Sequence, residues 1–178
     1  MTGATRQELA ALDDRVVPEP ESAFTDLTSY SLVVVTTVSA DGERSGCLAG
    51  FLTQCSIEPP RFLVCLSKAN HTLGVADRAQ ALGLHLLGTD QDASASLFGE
   101  QTGDRVDKLS QVDWHAGTLG VPLLDHCAAW LEVRILRRYD VGDHVAMLTS
   151  PVSGGAGTHA GVMTNRNAPP LEAGHPAD

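Results

Sequence analysis

The loop at residues 67–72, Ser-Lys-Ala-Asn-His-Thr, concentrates side chains that can bind an anion. It follows an apolar run and opens a segment with helical character, so it joins the end of a strand to the start of a helix. A helix N-terminus presents free N–H donors and partial positive charge, which stabilise an anion. Lys68 would add a point charge, and Ser67 or Thr72 would add hydroxyl donors. A plain helix cap at Asn70 or Ser67, with Lys68 in solvent, explains the same residues equally well.

Two glycines in an earlier strand could clear space for a flat ring. Gly46 and Gly50 are an even number of residues apart, so both positions face one side of a strand. Glycine weakens a strand unless another group must approach the backbone closely. A bulge or a tight barrel corner is the alternative explanation. Together with the loop at 67–72, this strand predicts a cradle for a phosphorylated cofactor, and the cradle needs no reactive side chain.

His144 is the candidate catalytic side chain, because it follows Gly142 and Asp143 at the start of a predicted strand, where an imidazole can face a cleft. A structural histidine is the simpler interpretation from these residues alone. His126 and Cys127 are neighbours, and adjacent strand residues face opposite ways, so the sequence predicts no metal site. The 4 cysteines contain no Cys-x-x-Cys pair, so buried free thiols are expected.

Patterns along the chain predict a mainly β fold with short helices. β-branched and apolar runs indicate strands, while capping residues and prolines bound the helices. The expected strands span residues 31–38, 44–51, 61–66, 81–87, 130–136 and 144–148, and the expected helical segments span 6–13, 22–27, 72–78, 90–98 and 104–109. Few helices separate the strands, which indicates a closed, largely antiparallel sheet. Residues 1–23 are expected to form a helical arm, 24–153 the domain, and 154–178 a flexible tail or an arm that reaches a partner.

Composition excludes several classes of function. At 178 residues and 43% apolar content, the chain suits one domain with a real core. Its formal net charge of −10 argues against nucleic-acid binding, which needs Lys and Arg to neutralise phosphates. It contains no run of about 20 apolar residues that could cross a membrane, and residues 1–9 have no apolar signal core. We therefore expect a cytoplasmic protein that binds neither nucleic acid nor a membrane.

In their order and spacing, the motifs resemble those of the flavin reductase family, whose members share an FMN-binding split barrel. The resemblance runs from about Phe24 to Val152. The matching pieces are Val33-Val34-Val35-Thr36-Thr37, Gly46 through Glu58-Pro59-Pro60, Ser67 with Thr72, Gly103-Asp104-Arg105, Trp114, Gly120 through Asp125, Ala129 through Glu132, and Gly142-Asp143-His144. The resemblance implies a Greek-key antiparallel split β-barrel that forms a homodimer.

The resemblance also implies an NAD(P)H-dependent flavin reductase, which transfers a hydride from a nicotinamide to bound FMN or FAD. Reduced flavin would then serve an acceptor, for which a partner monooxygenase is one candidate. Flavin contacts would come from the glycine-rich strand and the loop at 67–72, with His144 near the nicotinamide. The implied flavin-binding residues are Gly46, Cys47, Leu48, Ala49, Gly50, Thr53, Gln54, Cys55, Ser56, Ser67, Lys68, Asn70, His71 and Thr72.

The chain departs from the family pattern where the flavin ring usually finds hydroxyl groups. Here these positions hold Leu48, Gly50 and Phe51. Main-chain groups, Thr53 or Gln54, or a partner chain would then have to hold the ring. The same departure leaves open two other functions: a flavin-, deazaflavin- or haem-binding module without reductase activity, and a dimeric scaffold without a cofactor.

Overall fold

The computed structural model describes residues 20–157, 159, 161–172 and 174. In this part of the chain, a seven-stranded antiparallel sheet forms the body, and a two-stranded hairpin lies beside it. The strands of the sheet are β1 (Val33–Ser39), β2 (Arg44–Ala49), β3 (Leu52–Ser56), β4 (Arg61–Ser67), β5 (Ala79–Leu86), β8 (Ala129–Asp140) and β9 (His144–Ala156), and the hairpin is β6 (Trp114–Ala116) with β7 (Pro122–Leu124). The helices are α1 (Pro20–Leu27), α2 (His71–Ala76), α3 (Asp92–Glu100) and the 3-10 helix η1 (Lys108–Gln111). None of these helices has the length and apolar character needed to cross a membrane.

The sheet curls into a barrel that is not fully closed, because its two edge strands do not pair along their length. Its strand order is β2-β1-β5-β8-β9-β4-β3, so the two edge strands, β2 and β3, are consecutive in the sequence. Between them, the Phe51 carbonyl accepts a hydrogen bond from the Cys65 amide of β4 at 2.9 Å. The sheet therefore curls into a barrel that is open between β2 and the end of β4. The mainly antiparallel β fold expected from the sequence is confirmed.

Strand β1 lies between two apolar clusters. Val33, Val34 and Val35 are all fully buried. Because successive side chains on a strand point to opposite faces, Val33 and Val35 enter the barrel interior, whereas Val34 enters a second cluster with Phe98 of α3 and Met163. A strand buried on both faces needs apolar side chains throughout, which explains the continuous run in the sequence.

Most of the expected elements form, with shifted bounds. The strand expected over 44–51 is interrupted: β2 ends at Ala49, the chain bends at Gly50, and β3 begins at Leu52. Strands β8 and β9 extend further than expected, because they pair with each other along most of their length. The hairpin β6–β7 is absent from the sequence-based prediction, since its strands are too short to show a period. The helical arm expected over 6–13 lies outside the described residues.

The segment after β9 packs onto the body, which differs from the flexible tail expected over 154–178. Met163 is fully buried, and its amide donates to the Leu87 carbonyl at 2.8 Å. The side-chain oxygen of Asn165 accepts from the Tyr30 amide, a contact between residues 135 apart in the sequence. Local composition suggested flexibility because it cannot report contacts at such separation. The described part of the tail instead fixes the linker between α1 and β1.

Candidate functional site

A cleft of about 380 Å³ opens where β2 and the end of β4 separate. Because β2 is an edge strand of the described sheet, its outward peptide groups have no ladder partner there. The lining residues are Cys47, Leu48, Ala49, Gly50, Phe51, Cys65, Leu66, Ser67, Lys68, Ala69, Asn70, Asp143 and His144. Backbone N–H and C=O groups are strong hydrogen-bonding groups, so an open edge of this kind can hold a flat ligand without hydroxyl side chains.

The structure brings together some of the residues that the sequence predicted for the site and separates others. Those that line the cleft are Cys47, Leu48, Ala49, Gly50, Ser67, Lys68, Asn70 and His144. Those that do not are Gly46, Thr53, Gln54, Cys55, Ser56, His71 and Thr72. Within one chain, Thr53, Gln54 and Cys55 are exposed on the outer edge strand β3, and Gly46 and His71 line a second cleft. The bend at Gly50 turns β3 away from the cleft, which explains the position of the β3 residues.

The two strand glycines make room for protein side chains. A Cβ atom on Gly46 would lie 2.9 Å from Cε1 of Phe98, and one on Gly50 would lie 2.6 Å from Cε2 of Tyr30. Both glycines face the same side, as the strand period predicts, but that side is the apolar cluster under α3. The expected clearance for a flat ring is therefore wrong, because two aromatic side chains occupy the space.

Lys68 is paired within the protein. Its ammonium lies 2.9 Å from each carboxylate oxygen of Asp140, at the end of β8. The hydrogen bond from Lys68 lowers the pKa of Asp140 below its ordinary value, so this carboxylate is ionised at neutral pH. The sequence-based role of Lys68 as the point charge for a phosphate loses its main support, because Asp140 compensates that charge.

The loop at 67–72 contains the helix cap that the sequence left as an alternative. The Asn70 side-chain oxygen accepts from the Thr72 amide at 3.0 Å. The Thr72 hydroxyl lies 2.9 Å from the Ser45 hydroxyl and is buried. Helix α2 has 6 residues, so few aligned peptide dipoles add to its terminal charge. The loop is thus a stabilised turn, and an anion site at this helix N-terminus is not supported.

His144 lies on the cleft wall at the start of β9. Its Nδ1 is 2.8 Å from Oδ1 of Asp143, and this hydrogen bond lowers the pKa of the Asp143 carboxyl. An ionised carboxylate can only accept hydrogen bonds, so Nδ1–H is the donor in this pair and Nε2 is the ring nitrogen that it leaves unused. The ring also makes an edge contact with Phe51, with 5.3 Å between centroids, and Phe51 contacts Tyr30 at 6.1 Å. These contacts fix the ring and leave Nε2 for a ligand in the cleft.

The sequence reasoning missed this aromatic series of Tyr30, Phe51 and His144. Its members come from the linker before β1, the bend between β2 and β3, and the start of β9, so no local spacing connects them. A large aromatic side chain directly after Gly50 is the sequence signal that could have indicated it. The Phe51 ring, at a position where a hydroxyl was expected, contacts the ring of the candidate catalytic histidine.

The cysteine thiols near the cleft are not activated. Burial raises the pKa of Cys47 and of Cys127 to about 11, and burial also raises the pKa of Cys65 in the cleft wall. All 4 are free thiols. Across the described ranges, no three His, Cys, Asp or Glu side chains lie close enough to hold a metal ion. The wall of the cleft offers backbone groups, the Phe51 ring and the His144 imidazole.

The protein-family model of the flavin reductase like domain matches residues 26–171 of this chain. The chain belongs to this family. The solved structure of the Streptomyces globisporus C-1027 NADH:FAD oxidoreductase SgcE6 has a TM-score of 0.69 and 25% identity, covering 88% of this chain and 87% of that one. The split-barrel fold expected from the resemblance is confirmed.

The relatives in this family are named as reductases. The chain is 29% identical over 136 residues to the "Probable flavin reductase" of Rhizobium meliloti (strain 1021), across 76% of this chain but only 42% of that protein. It is 29% identical over 138 residues to the "Ferric-chelate reductase (NAD(P)H)" of Archaeoglobus fulgidus, across 76% of this chain and 81% of that protein. Other relatives are named as reductase subunits, including one of a flavin-dependent monooxygenase. The chain therefore spans less than half of the first relative and most of the second.

Proposed function

We propose that this protein is an NAD(P)H-dependent flavin reductase that binds FMN or FAD in the cleft between β2 and β4. The observation that carries the proposal is a cleft at the open edge of a split barrel, walled by His144, in a chain of the flavin reductase family. The names of similar proteins, which include an NADH:FAD oxidoreductase and an NADH-dependent FMN reductase, support it.

The cleft residues fit a flavin in size and in chemistry. A volume of about 380 Å³ lies within the range of small-molecule pockets. Leu48 and Phe51 offer apolar surface to the ring, and the edge of β2 offers peptide groups for its polar atoms. Ser67, at the end of β4, lines the cleft as well, and its hydroxyl accepts from the Ala69 amide. When bound, the flavin supplies the chemistry of accepting a hydride and passing electrons on, while the protein supplies binding and orientation.

The rings of His144 and Phe51, on one wall of the cleft, would orient the nicotinamide. His144 is held by Asp143 on one side and by the edge of Phe51 on the other. Hydride transfer requires the reacting groups to be held at close approach, and a fixed wall limits their alternative positions. We assign His144 to contacting the nicotinamide through Nε2, and Phe51 to holding the imidazole in place.

The direct test is an assay of nicotinamide oxidation. Purified protein is mixed with FMN or FAD and with NADH or NADPH in all pairings, and the nicotinamide absorbance is followed. Steady turnover with at least one pairing supports the proposal. An absence of turnover with every pairing, in a protein shown to be folded, contradicts it.

A second candidate function is cofactor binding without reductase activity. It is favoured by the wall from Cys47 to Phe51, which contains no hydroxyl group. The cofactor in that case would be a flavin, a deazaflavin or a haem. The visible spectrum of the purified protein distinguishes these groups, and a retained chromophore without nicotinamide oxidation would favour this function over the first.

The proposal includes a homodimer. Phe24 is 77% exposed and lines an apolar groove beside the cleft, together with Phe51 and Leu63. Contiguous exposed apolar surface marks interaction sites, and this groove is supporting evidence for a second copy. Sedimentation at micromolar concentration tests it, and a purely monomeric protein would contradict it. A cytoplasmic location and a partner monooxygenase as acceptor complete the proposal, the latter supported by the names of relatives.

A further inference from the structure

The imidazole of His71, at the start of α2, lies between two carboxylates from different parts of the fold. Its Nε2 is 3.3 Å from a carboxylate oxygen of Glu43, directly before β2, and its Nδ1 is 2.7 Å from one of Asp104, between α3 and η1. The His71 side chain is only 25% exposed, so water and salt screen these contacts in part. One ring therefore joins the turn at 40–43 to the segment at 102–106.

The two contacts together require a proton on each ring nitrogen. A neutral imidazole has one N–H donor and one unprotonated nitrogen, whereas the imidazolium has two donors. An ionised carboxylate has only acceptor oxygens, so it repels an unprotonated nitrogen that faces it. Histidine is the side chain whose charge ordinarily changes between about pH 5 and pH 8. The ring can therefore hold both carboxylates at once only in its protonated form.

Glu43 is anchored independently of the histidine. Its second carboxylate oxygen pairs with Arg78, and Arg78 also contacts a carboxylate oxygen of Asp41 at 2.9 Å. These charged groups keep the turn in place whatever the state of the imidazole. The Glu43 carboxylate is therefore the fixed side of the bridge.

Asp104 belongs to a segment with few other ties to the body. Its second oxygen accepts from the Thr102 hydroxyl at 3.1 Å, and the amides of Arg105 and Val106 donate to the Thr102 carbonyl at 3.2 and 3.1 Å. Within the part of the chain that the structure describes, the hydrogen bonds of this segment stay inside it, and its one ion pair to the body is the contact with His71. The Asp104 carboxylate is therefore the movable side of the bridge.

The other charged groups that line the same cleft are Arg44 of β2, Arg105, Asp107 and Lys108 of η1. The guanidinium of Arg44 lies over the Trp114 ring at 5.3 Å, and the ammonium of Lys108 donates to the Phe98 carbonyl at 3.3 Å. Among the described residues, none of the three cations forms an ion pair with either carboxylate of the bridge. Compensation of the two negative charges across the gap therefore depends on the proton of His71.

We propose that His71 is a proton-dependent latch, which holds the segment at 102–106 against the turn at 40–43 when protonated and loosens that hold when neutral. Loss of the proton leaves the carboxylates of Glu43 and Asp104 on either side of an uncharged ring, where like charges repel. The segment moves because Glu43 stays fixed. It forms part of one wall of the second cleft, of about 410 Å³, so the latch sets how far that cleft opens. The inference is independent of the proposed function, since it needs neither a flavin nor a nicotinamide.

Hydrogen exchange read by mass spectrometry tests the latch in the full chain. The reporters are peptides that contain the Arg105 and Val106 amides, with rates corrected for the intrinsic pH dependence of exchange. In the wild type we expect their protection to fall roughly threefold or more between about pH 5.5 and about pH 8. In His71→Gln, whose side chain cannot be protonated, protection should be low at both pH values and change by less than about twofold.

Two further variants complete the test. Asp104→Asn removes the charge on the movable side, so we expect the pH response to be lost there too. The Asp104 side chain is 65% exposed, so this variant should fold and decides the matter if His71→Gln does not. His126→Gln replaces a histidine that is 70% exposed and lies outside this cleft, and as the matched control it should keep the wild-type response.

Two results overturn the latch. One is equal protection of the reporter peptides at both pH values in the wild type. The other is a full wild-type response in His71→Gln or in Asp104→Asn, which would place the titrating group elsewhere.

Discussion

The ammonium of Lys68 bridges both carboxylate oxygens of Asp140, at 2.9 Å from each, and thereby ties the loop after β4 to the end of β8. Both side chains are substantially exposed, so the pair orders the rim of the cleft and adds little to global stability. Because the pKa of Asp140 is depressed, the pair persists at neutral pH and is lost only as the pH falls through that lowered value.

We therefore expect Lys68→Gln to change FMN and riboflavin affinity by similar factors. The physical reason is that Asp140 already compensates the lysine charge, so Lys68 contributes little electrostatic attraction to a phosphate. Titration of both flavins into the variant measures the two constants. A loss confined to FMN, with riboflavin unaffected, would restore Lys68 as the phosphate partner.

His144 and Phe51 are expected to act as a unit. His144→Ala should lower kcat/KM for the nicotinamide by about tenfold or more, with flavin affinity nearly unchanged, because positioning errors at the reacting groups are costly. Phe51→Leu removes the edge contact at 5.3 Å and should have a smaller effect of the same kind.

A double-mutant cycle measures the coupling between these two residues. If Phe51 acts through the imidazole, the double variant should be no worse than His144→Ala alone. Fully additive losses in kcat/KM for the nicotinamide would show that Phe51 contacts the nicotinamide independently of His144. Unchanged kinetics in His144→Ala would assign the histidine to a structural role.

Gly50→Ala should destabilise the protein by roughly 1–3 kcal/mol, because the new Cβ would lie 2.6 Å from the Tyr30 ring. Urea denaturation measures the change, and Tyr30→Leu in the same background should recover part of it. Gly74→Ala is the matched control, since no atom of the described residues beyond its own helix lies within 4 Å of the added carbon on α2. We expect that variant to be neutral or stabilised by up to about 1 kcal/mol. Equal effects at the two positions would contradict the packing argument.

The buried His85 should make stability depend on pH below neutrality. Its Nδ1 lies 3.0 Å from the Val34 carbonyl and its Nε2 accepts from the Leu124 amide, and burial lowers its pKa to about 4. Between the unfolded value near 6.5 and this folded value, the unfolded chain binds a proton that the folded chain does not. The free energy of unfolding should therefore decrease as the pH is lowered across that range. His85 should account for on the order of 3 kcal/mol of this decrease.

Urea midpoints at a series of pH values, for wild type and His85→Gln, isolate that contribution. Glutamine can keep one donor and one acceptor but does not titrate. The pH slope should be shallower in the variant than in the wild type. Parallel slopes in the two proteins would show that His85 is not the responsible group.

Features that depend on neighbouring residues could be predicted from the sequence. The buried strand at Val33 to Val35 and the cap at Asn70 are of this kind, since strand period and capping chemistry act over a few residues. The prediction that Lys68 supplies a positive charge for a phosphate rests on local sequence in the same way. Its pairing with Asp140 depends on how β8 and β9 return across the barrel, and a local pattern carries no information about that.

The candidate site was predicted in part for a related reason. Strand β2 and the loop at 67–72, which line the first cleft, are close in sequence, and their motifs carry the resemblance to the family. The contacts that place Phe98 beside Gly46, and Tyr30 beside Gly50, join segments that meet only after the sheet has curled. The sequence pattern at Gly46 and Gly50 therefore indicates space for a ligand, whereas the folded structure places Phe98 and Tyr30 there.

The packing of the C-terminal segment also bears on how the protein is made. Met163 completes the apolar cluster that Val34 and Phe98 begin, and Asn165 secures the linker before β1. During translation β1 leaves the ribosome well before Met163 and Asn165 do. One side of β1 therefore stays incompletely covered until residue 163 has emerged, and a nascent chain stalled before residue 161 would expose apolar surface that the folded protein buries.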